Sequence, residues 1–553
     1  MHRERRPLLL IPLAAFLAIT PLIVHGCSCG HDFDFHLISW FEAARQLAHR
    51  IYPRWAQTPA WNAGEPRFLF YPPLSWLLGA LLGMLMPWTW TPIAFTWIAL
   101  AGAGLSLYYA VRRFTSPDAA LLASAIYLAH PYMLYTAYER TAYAELLAAI
   151  WLPLALHAAL RPRITIPWVS APIALLWLTN APAAVMGCYV MAATIGLRLI
   201  LASKDGEQFT RTRIALNAIA GSLLGLGLAA FYLIPAAYER RFVQIQFAII
   251  PGLRPWDNFL FEHSPDPEYA AVLHTASLVA VTVIGLTALA VAAAFLRRRP
   301  LEDAPPECER SDKIPAILTT VSAIILFLLT PLSSPVWHHL PELRFLQFPW
   351  RFVAVLGAIF GFALALAFRP VRMRSGTVAL LCTVVFAFPG YRVFHQYCYP
   401  EDTVARRLAV FRSANPGTDA TDEYTPVEAD NDYDNHRNPG YWLSPDPASA
   451  APESSVPGPA PRVLNLSPAA PTVLILNLRD YPTWHILRNG SPVPVRRSRP
   501  DGLVAIPLPA GPAKIEIRYV PMGDQKLGYI CSGLAVSLLI ALILYDHRQT
   551  RDL

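Results

Sequence analysis

The chain has 553 residues, 54% of them hydrophobic and only 15% charged, and its mean hydropathy is positive. A soluble protein carries about 25% charge, so a soluble globular fold is excluded. The formal charge of +7 does not indicate a nucleic-acid partner, because the basic residues fall in short clusters between apolar runs, where they orient membrane spans.

Apolar runs long enough to cross a bilayer cover 7–24, 93–111, 118–136, 143–160, 165–179, 182–201, 214–236, 270–296, 314–331, 351–368, 375–390 and 527–545. The sequence therefore predicts a mostly α, polytopic transmembrane protein of about twelve spans. The first run follows Arg3, Arg5 and Arg6 and ends before Cys27; it reads as an uncleaved first helix rather than a signal peptide.

One further apolar run, Tyr71 to Trp88, is ambiguous, and positive charge decides it. If it does not cross, alternate loops collect Arg112 and Arg113, Arg161 and Arg163, Lys204 with Arg211 and Arg213, Arg297 to Arg299 with Lys313, and Arg369 with Arg372 and Arg374. These become the inner loops, with Arg548 and Arg551 in the tail, and both termini are cytoplasmic. The first outer loop then spans 25–91. Within it, Leu37 to Ile51 has apolar residues at helical spacing and predicts a helix lying in the interface.

That loop opens on His31, Asp32, Phe33, Asp34, Phe35 and His36. Two carboxylates at the mouth of a membrane helix are costly near lipid. On the water side one can take a proton from an acceptor hydroxyl while the other orients it, or the pair can hold a divalent cation. The same aspartates also suit a helix N-cap. The second outer loop carries Glu139, Arg140 and Glu145; Arg140 is a phosphate ligand by type, though a Glu–Arg pair at a helix end is also an ordinary surface feature. A third cluster is Gln347, Phe348, Pro349, Trp350 and Arg351. Arg351 there can meet a lipid phosphate beside Trp350 and Phe348, or simply snorkel within an aromatic belt.

From 391 to 526 the composition turns to Pro, Asp, Asn and Ser. Residues 412–461 read as loop, in part disordered. Alternating strands are predicted at 472–477, 502–507 and 513–519, with turns at Asn489-Gly490 and Asp501-Gly502: a small extracytoplasmic β-sandwich. The predicted organisation is a transmembrane part at 1–390, the outer loop and β domain at 391–526, and a last helix with cytoplasmic tail at 527–553. Of seven cysteines, Cys27, Cys29 and Cys398 fall outside, where Cys398 can pair with Cys27 or Cys29. No Walker sequence, phosphate-cradling glycine loop or zinc-protease motif is present.

The order of Asp32-Phe33-Asp34, Tyr71-Pro72-Pro73-Leu74 and Glu139-Arg140 through Glu145 resembles the GT-C superfamily of membrane glycosyltransferases. Adding Gln347 to Phe352, Asp480 to His485 and Arg488-Asn489-Gly490, the chain is most similar to bacterial membrane proteins called 6-pyruvoyl-tetrahydropterin synthase-related. It has nothing like the three-histidine metal site of the soluble enzyme in that name. The GT-C resemblance implies inverting transfer from a polyprenyl-phosphate sugar donor to a glycan, lipid or protein acceptor of the cell envelope. The reaction would take place on the outer face of a bacterial cytoplasmic membrane. It implies Asp32 or Asp34 as base, Glu139 and Glu145 as the second acidic motif, and Arg140 or Arg351 against the phosphate. His36, Tyr71, Trp350 and Gln347 would contact substrate. The competing expectations are a lipid or glycan transporter and a non-catalytic envelope assembly protein. Against transport stands the near absence of charge in the middle of the spans.

Overall fold

A computed structural model describes residues 2–201, 208–297, 313–368, 375–453 and 455–549. Of the orienting basic residues, Lys204, Arg298, Arg299, Arg369, Arg372, Arg374 and Arg551 lie outside the described residues. The protein is mostly α. Among the described residues eight helices are long and apolar enough to cross a membrane. Two bent pairs, Arg211–Leu228 with Ala230–Phe242 (76°) and Ile314–Leu328 with Pro331–His339 (90°), make ten. The spans expected at 118–136 and 165–179 contain shorter apolar helices, Pro117–Leu128 and Ile166–Thr179.

The breaks in these helices are chemically satisfied. At the 76° bend, Ser532 of the last helix donates to the Gly227 and Leu228 carbonyls and accepts from the Phe231 N–H. A backbone polar group freed in an apolar setting needs such a partner. The span beginning at Pro117 ends differently. It loosens into a π-helical turn, Tyr135–Glu139, and Thr141 then adopts φ +47°, a conformation rare for a β-branched residue. The freed Glu139 and Arg140 carbonyls accept the N–H groups of His31 and Asp32, at 3.3 and 2.9 Å. The break in one span thus docks the start of the first long loop.

The run from Tyr71 to Trp88 contains only a short apolar helix. Its helix, Pro73–Leu85, has 13 residues and lies along helix Phe33–Ala48. Tyr71 touches Phe35 (4.8 Å between ring centres) at one end, and Trp88 touches Phe41 (4.7 Å) at the other. Between them a Cβ on Gly79 would collide with the Trp40 indole. Residues next to the basic clusters meet across the helices: Thr115 donates to the Ala365 carbonyl, Asn217 to that of Ile164 and Lys313 to that of Leu201.

Among the described residues seven strands form two antiparallel sheets: β1 (Tyr441–Ser444), β3 (Thr472–Arg479) and β6 (Leu503–Leu508) in the order β1-β3-β6, and β2 (Val463–Leu466), β7 (Ala513–Tyr519), β4 (Trp484–Arg488) and β5 (Ser491–Pro492) in the order β2-β7-β4-β5. Leu474, Leu476, Val504 and Ile506 of one sheet share a core with Ile486, Ile515 and Ile517 of the other, as a sandwich requires. Asn489 (φ +50°) and Gly490 (φ +82°) make the tight β4–β5 turn, where both central residues need positive φ. Trp55 and Leu69 of the first loop enter the same core, so the sandwich is packed onto that loop.

The segment 412–461, expected as partly disordered loop, is instead held in place. Buried Arg479 donates to Thr425, Asn431 and Asp434 (2.6–3.2 Å), and the Thr421 N–H donates to buried Glu65 at 2.8 Å. The same segment supplies β1, which pairs with β3. A buried guanidinium and carboxylate demand partners, and the loop provides them.

Candidate active site

The docking of the first loop onto the π-turn, the fixing of 421–425 by Arg479, and the loop 240–248 enclose a cavity of about 570 Å³ at this end of the bundle. That size suits a small-ligand site. One pole is polar: Asp32, Arg140, Glu145 and Arg351 line it. Glu145 is buried and accepts from Tyr132 (2.5 Å) and Arg140 (2.7 Å), with Arg351 at 3.7 Å. Arg140 also reaches Asp32, at 3.8 Å. Two guanidiniums therefore share one buried carboxylate, and the Arg351 Nε has no hydrogen-bond partner. Apolar side chains, among them Trp177, Pro182, Leu233, Ala236 and Ile245, line the cavity as well.

Burial opposes charge on Arg140, but Glu145, Tyr132 and Asp32 outweigh it and hold the guanidinium above the usual arginine range. Burial pushes the His36 imidazole down to about 4, so it stands neutral against Tyr71 and Tyr143, with ring centres at 5.8 and 5.4 Å. Asp32, with 44% of its side chain exposed, is the carboxylate of this group that a substrate can reach.

Seven of the ten residues singled out from the sequence line this cavity: Asp32, His36, Tyr71, Arg140, Glu145, Gln347 and Arg351. Three do not. Asp34, one residue from Asp32, sits on the other side of the helix start and pairs with Arg407, which also holds Asp402 at 2.9 Å. Burial raises the Asp34 carboxyl, with Arg407 opposing. Glu139 is buried beside the π-turn, and burial pushes it up to about 7. Trp350 lies beneath Arg140 (4.8 Å to the ring centre) and stacks on Phe348, so it supports the cation rather than walling the cavity. In helix Phe33–Ala48 residues 32 and 34 cannot face the same way, which separates the two aspartates.

The divalent-cation expectation for Asp32 and Asp34 does not fit this donor set. Each carboxylate faces a guanidinium, and among the described residues neither converges with two further His, Cys, Asp or Glu ligands. Cys27, Cys29 and Cys398 do converge, but Cys29 and Cys398 form a disulfide. That disulfide ties residues 395–407 to the first loop, and Cys27 keeps a free thiol beside it.

Sequence reading missed the walls built from later segments: Tyr232, Glu342, Thr421, Glu423 and Tyr424. Burial raises the Glu423 carboxyl. The left-handed residues at the cavity, Glu342 (φ +61°) and Gln347 (φ +62°), carry no sequence signal, since neither is Gly or Asn.

No family profile matches the chain and no curated protein does. Among solved structures, the arabinofuranosyltransferase AftD from Mycobacteria is similar at 18% identity over 70% of this chain, with a TM-score of 0.39; its R1389S form gives 17%, 70% and 0.43. This chain spans only 27–28% of AftD. ArnT from Cupriavidus metallidurans bound to undecaprenyl phosphate is similar at 13% identity over 76% of this chain and 91% of its own, with a TM-score of 0.29.

Proposed function

We propose that this protein transfers a sugar from a polyprenyl-phosphate donor to a hydroxyl-bearing cell-envelope acceptor, on the outer face of the membrane. The observation that carries this reading is the polar pole of the cavity: a reachable carboxylate, Asp32, beside two guanidiniums that share one buried carboxylate. An acceptor hydroxyl attacks the anomeric carbon and gives its proton to Asp32. The bond from that carbon to the phosphate oxygen breaks, and the phosphate leaves with the electron pair. Arg140 and Arg351 meet the charge that develops on it. The apolar side chains of the lining, Trp177, Pro182 and Leu233 among them, take the first prenyl units. His36, neutral and packed against Tyr71, shapes the wall behind Asp32. The resemblance in residues 32–34, 71–74 and 139–145 points to the same chemistry, with inversion at the sugar.

The test uses the full chain in liposomes with a panel of polyprenyl-phosphate sugars. Asp32→Asn is expected to lower transfer by about 10²-fold or more while keeping polyprenyl-phosphate binding. Arg351→Ala is expected to lose that binding. Wild-type protein that does not bind polyprenyl phosphate overturns the reading.

A further inference from the structure

A second concave site lies at the far end of helix Phe33–Ala48, which is about 24 Å long at 1.5 Å per residue. The helix presents Phe35 and His36 to the cavity described above, and Arg45, Gln46 and His49 to this groove of about 420 Å³. The other wall is the β-sandwich, through Arg462, Trp484, Ile517 and Tyr519, and Tyr52, Arg54 and Trp55 form the floor. Basic residues line it on both sides, and among the described residues no carboxylate does.

Arg54 is the decisive residue. It is 7% exposed, yet among the described residues it forms no ion pair. Its Nη2 donates to the Tyr529 hydroxyl (2.7 Å) and toward the Phe231 carbonyl (3.4 Å), and its guanidinium lies over the Tyr52 and Tyr529 rings (5.1 and 5.4 Å to the ring centres). A buried guanidinium without a counter-charge is costly. Arg462 adds a second cation with no ion pair or hydrogen bond from its guanidinium among the described residues; it lies 4.5 Å over the Trp484 ring. Arg45 is already answered by Glu42, at 2.8 Å. The groove therefore holds two guanidiniums that meet no carboxylate among the described residues, and a histidine.

Its position indicates the source of an anion. Tyr529 belongs to the candidate span Gly523–Tyr545, and Phe231 starts the second helix of a bent span. Ile51 (56% exposed), Tyr52 and Tyr529 give the rim the aromatic and apolar character of a membrane interface. We propose that this groove binds a phosphate group at the membrane surface, the phosphodiester of an anionic lipid headgroup, between Arg54 and Arg462. A headgroup so held bridges the interfacial helix, the last span and the β-sandwich. This site is independent of the transfer reaction.

The experiment is native mass spectrometry of the full chain with phosphatidylglycerol or phosphatidylcholine, and calorimetry with inorganic phosphate. Wild-type protein is expected to retain phosphatidylglycerol preferentially. Arg462→Gln, a surface change that leaves the fold intact, should weaken that preference about fivefold, and Arg54→Gln should weaken it further. Phosphate binding by wild type that Arg462→Gln removes, with no lipid preference, supports the anion site and rejects the lipid source. Equal retention of both lipids without phosphate binding overturns the proposal. So does a preference that survives both substitutions.

Discussion

Asp32 and Glu145 are joined through one guanidinium: Arg140 lies 2.7 Å from Glu145 and 3.8 Å from Asp32. The two acids differ in exposure, 44% against 5% of the side chain. That difference assigns them different work, because a buried acid cannot meet an acceptor hydroxyl and an exposed one contributes little to stability.

The first prediction separates those roles. Glu145→Ala strips the shared partner from Arg140 and Arg351 and should destabilise the protein by about 3–5 kcal/mol. Asp32→Asn should cost less than about 1 kcal/mol while abolishing most transfer. Thermal unfolding in detergent beside a transfer assay reads both. Comparable unfolding losses in the two variants would sink the assignment.

Asp34 provides a second. It pairs with Arg407 outside the cavity. Asp34→Asn should therefore leave transfer within about fivefold, in keeping with a half-exposed ion pair worth ~1 kcal/mol or less. If its loss equals that of Asp32→Asn, the base has been placed on the wrong aspartate.

Glu139 gives a pH signature. Burial raises its carboxyl to about 7 from an unfolded value near 4.5. The folded state thus holds a proton that the unfolded state has released between those values, so this group favours folding below about 4.5. The contribution fades as pH rises and is lost above 7. Glu139→Gln, which stays neutral, should raise the unfolding free energy at pH 8 by on the order of 2 kcal/mol and change it little at pH 5. An equal effect at both pH values would contradict the burial argument.

The disulfide yields the fourth. Cys29→Ser and Cys398→Ser should each destabilise by about 2–5 kcal/mol, equally, because either removes the same cross-link. Cys27→Ser should have no comparable effect. Non-reducing peptide mapping that finds Cys27 paired with Cys398 would overturn this assignment.

The sequence by itself determined the class of the molecule. Apolar length and alternation are local properties, so the membrane-capable helices, the short helix within Tyr71 to Trp88 and the strands near 472, 503 and 513 were legible. So were most of the acidic and basic residues that line the cavity's charged cluster, because charge near lipid is conspicuous wherever it falls. What tertiary structure decided is which of them meet. The π-turn at Tyr135–Glu139 opens two carbonyls that seize the backbone of residues 31 and 32, turning Asp32 toward Arg140 and leaving Asp34 to Arg407. Arg479, inside the sandwich, pulls 425–434 down and completes the cavity with Thr421 and Glu423. These contacts join residues from 45 to 373 positions apart. Each depends on where a buried polar group finds its partner, which no local pattern in the chain encodes.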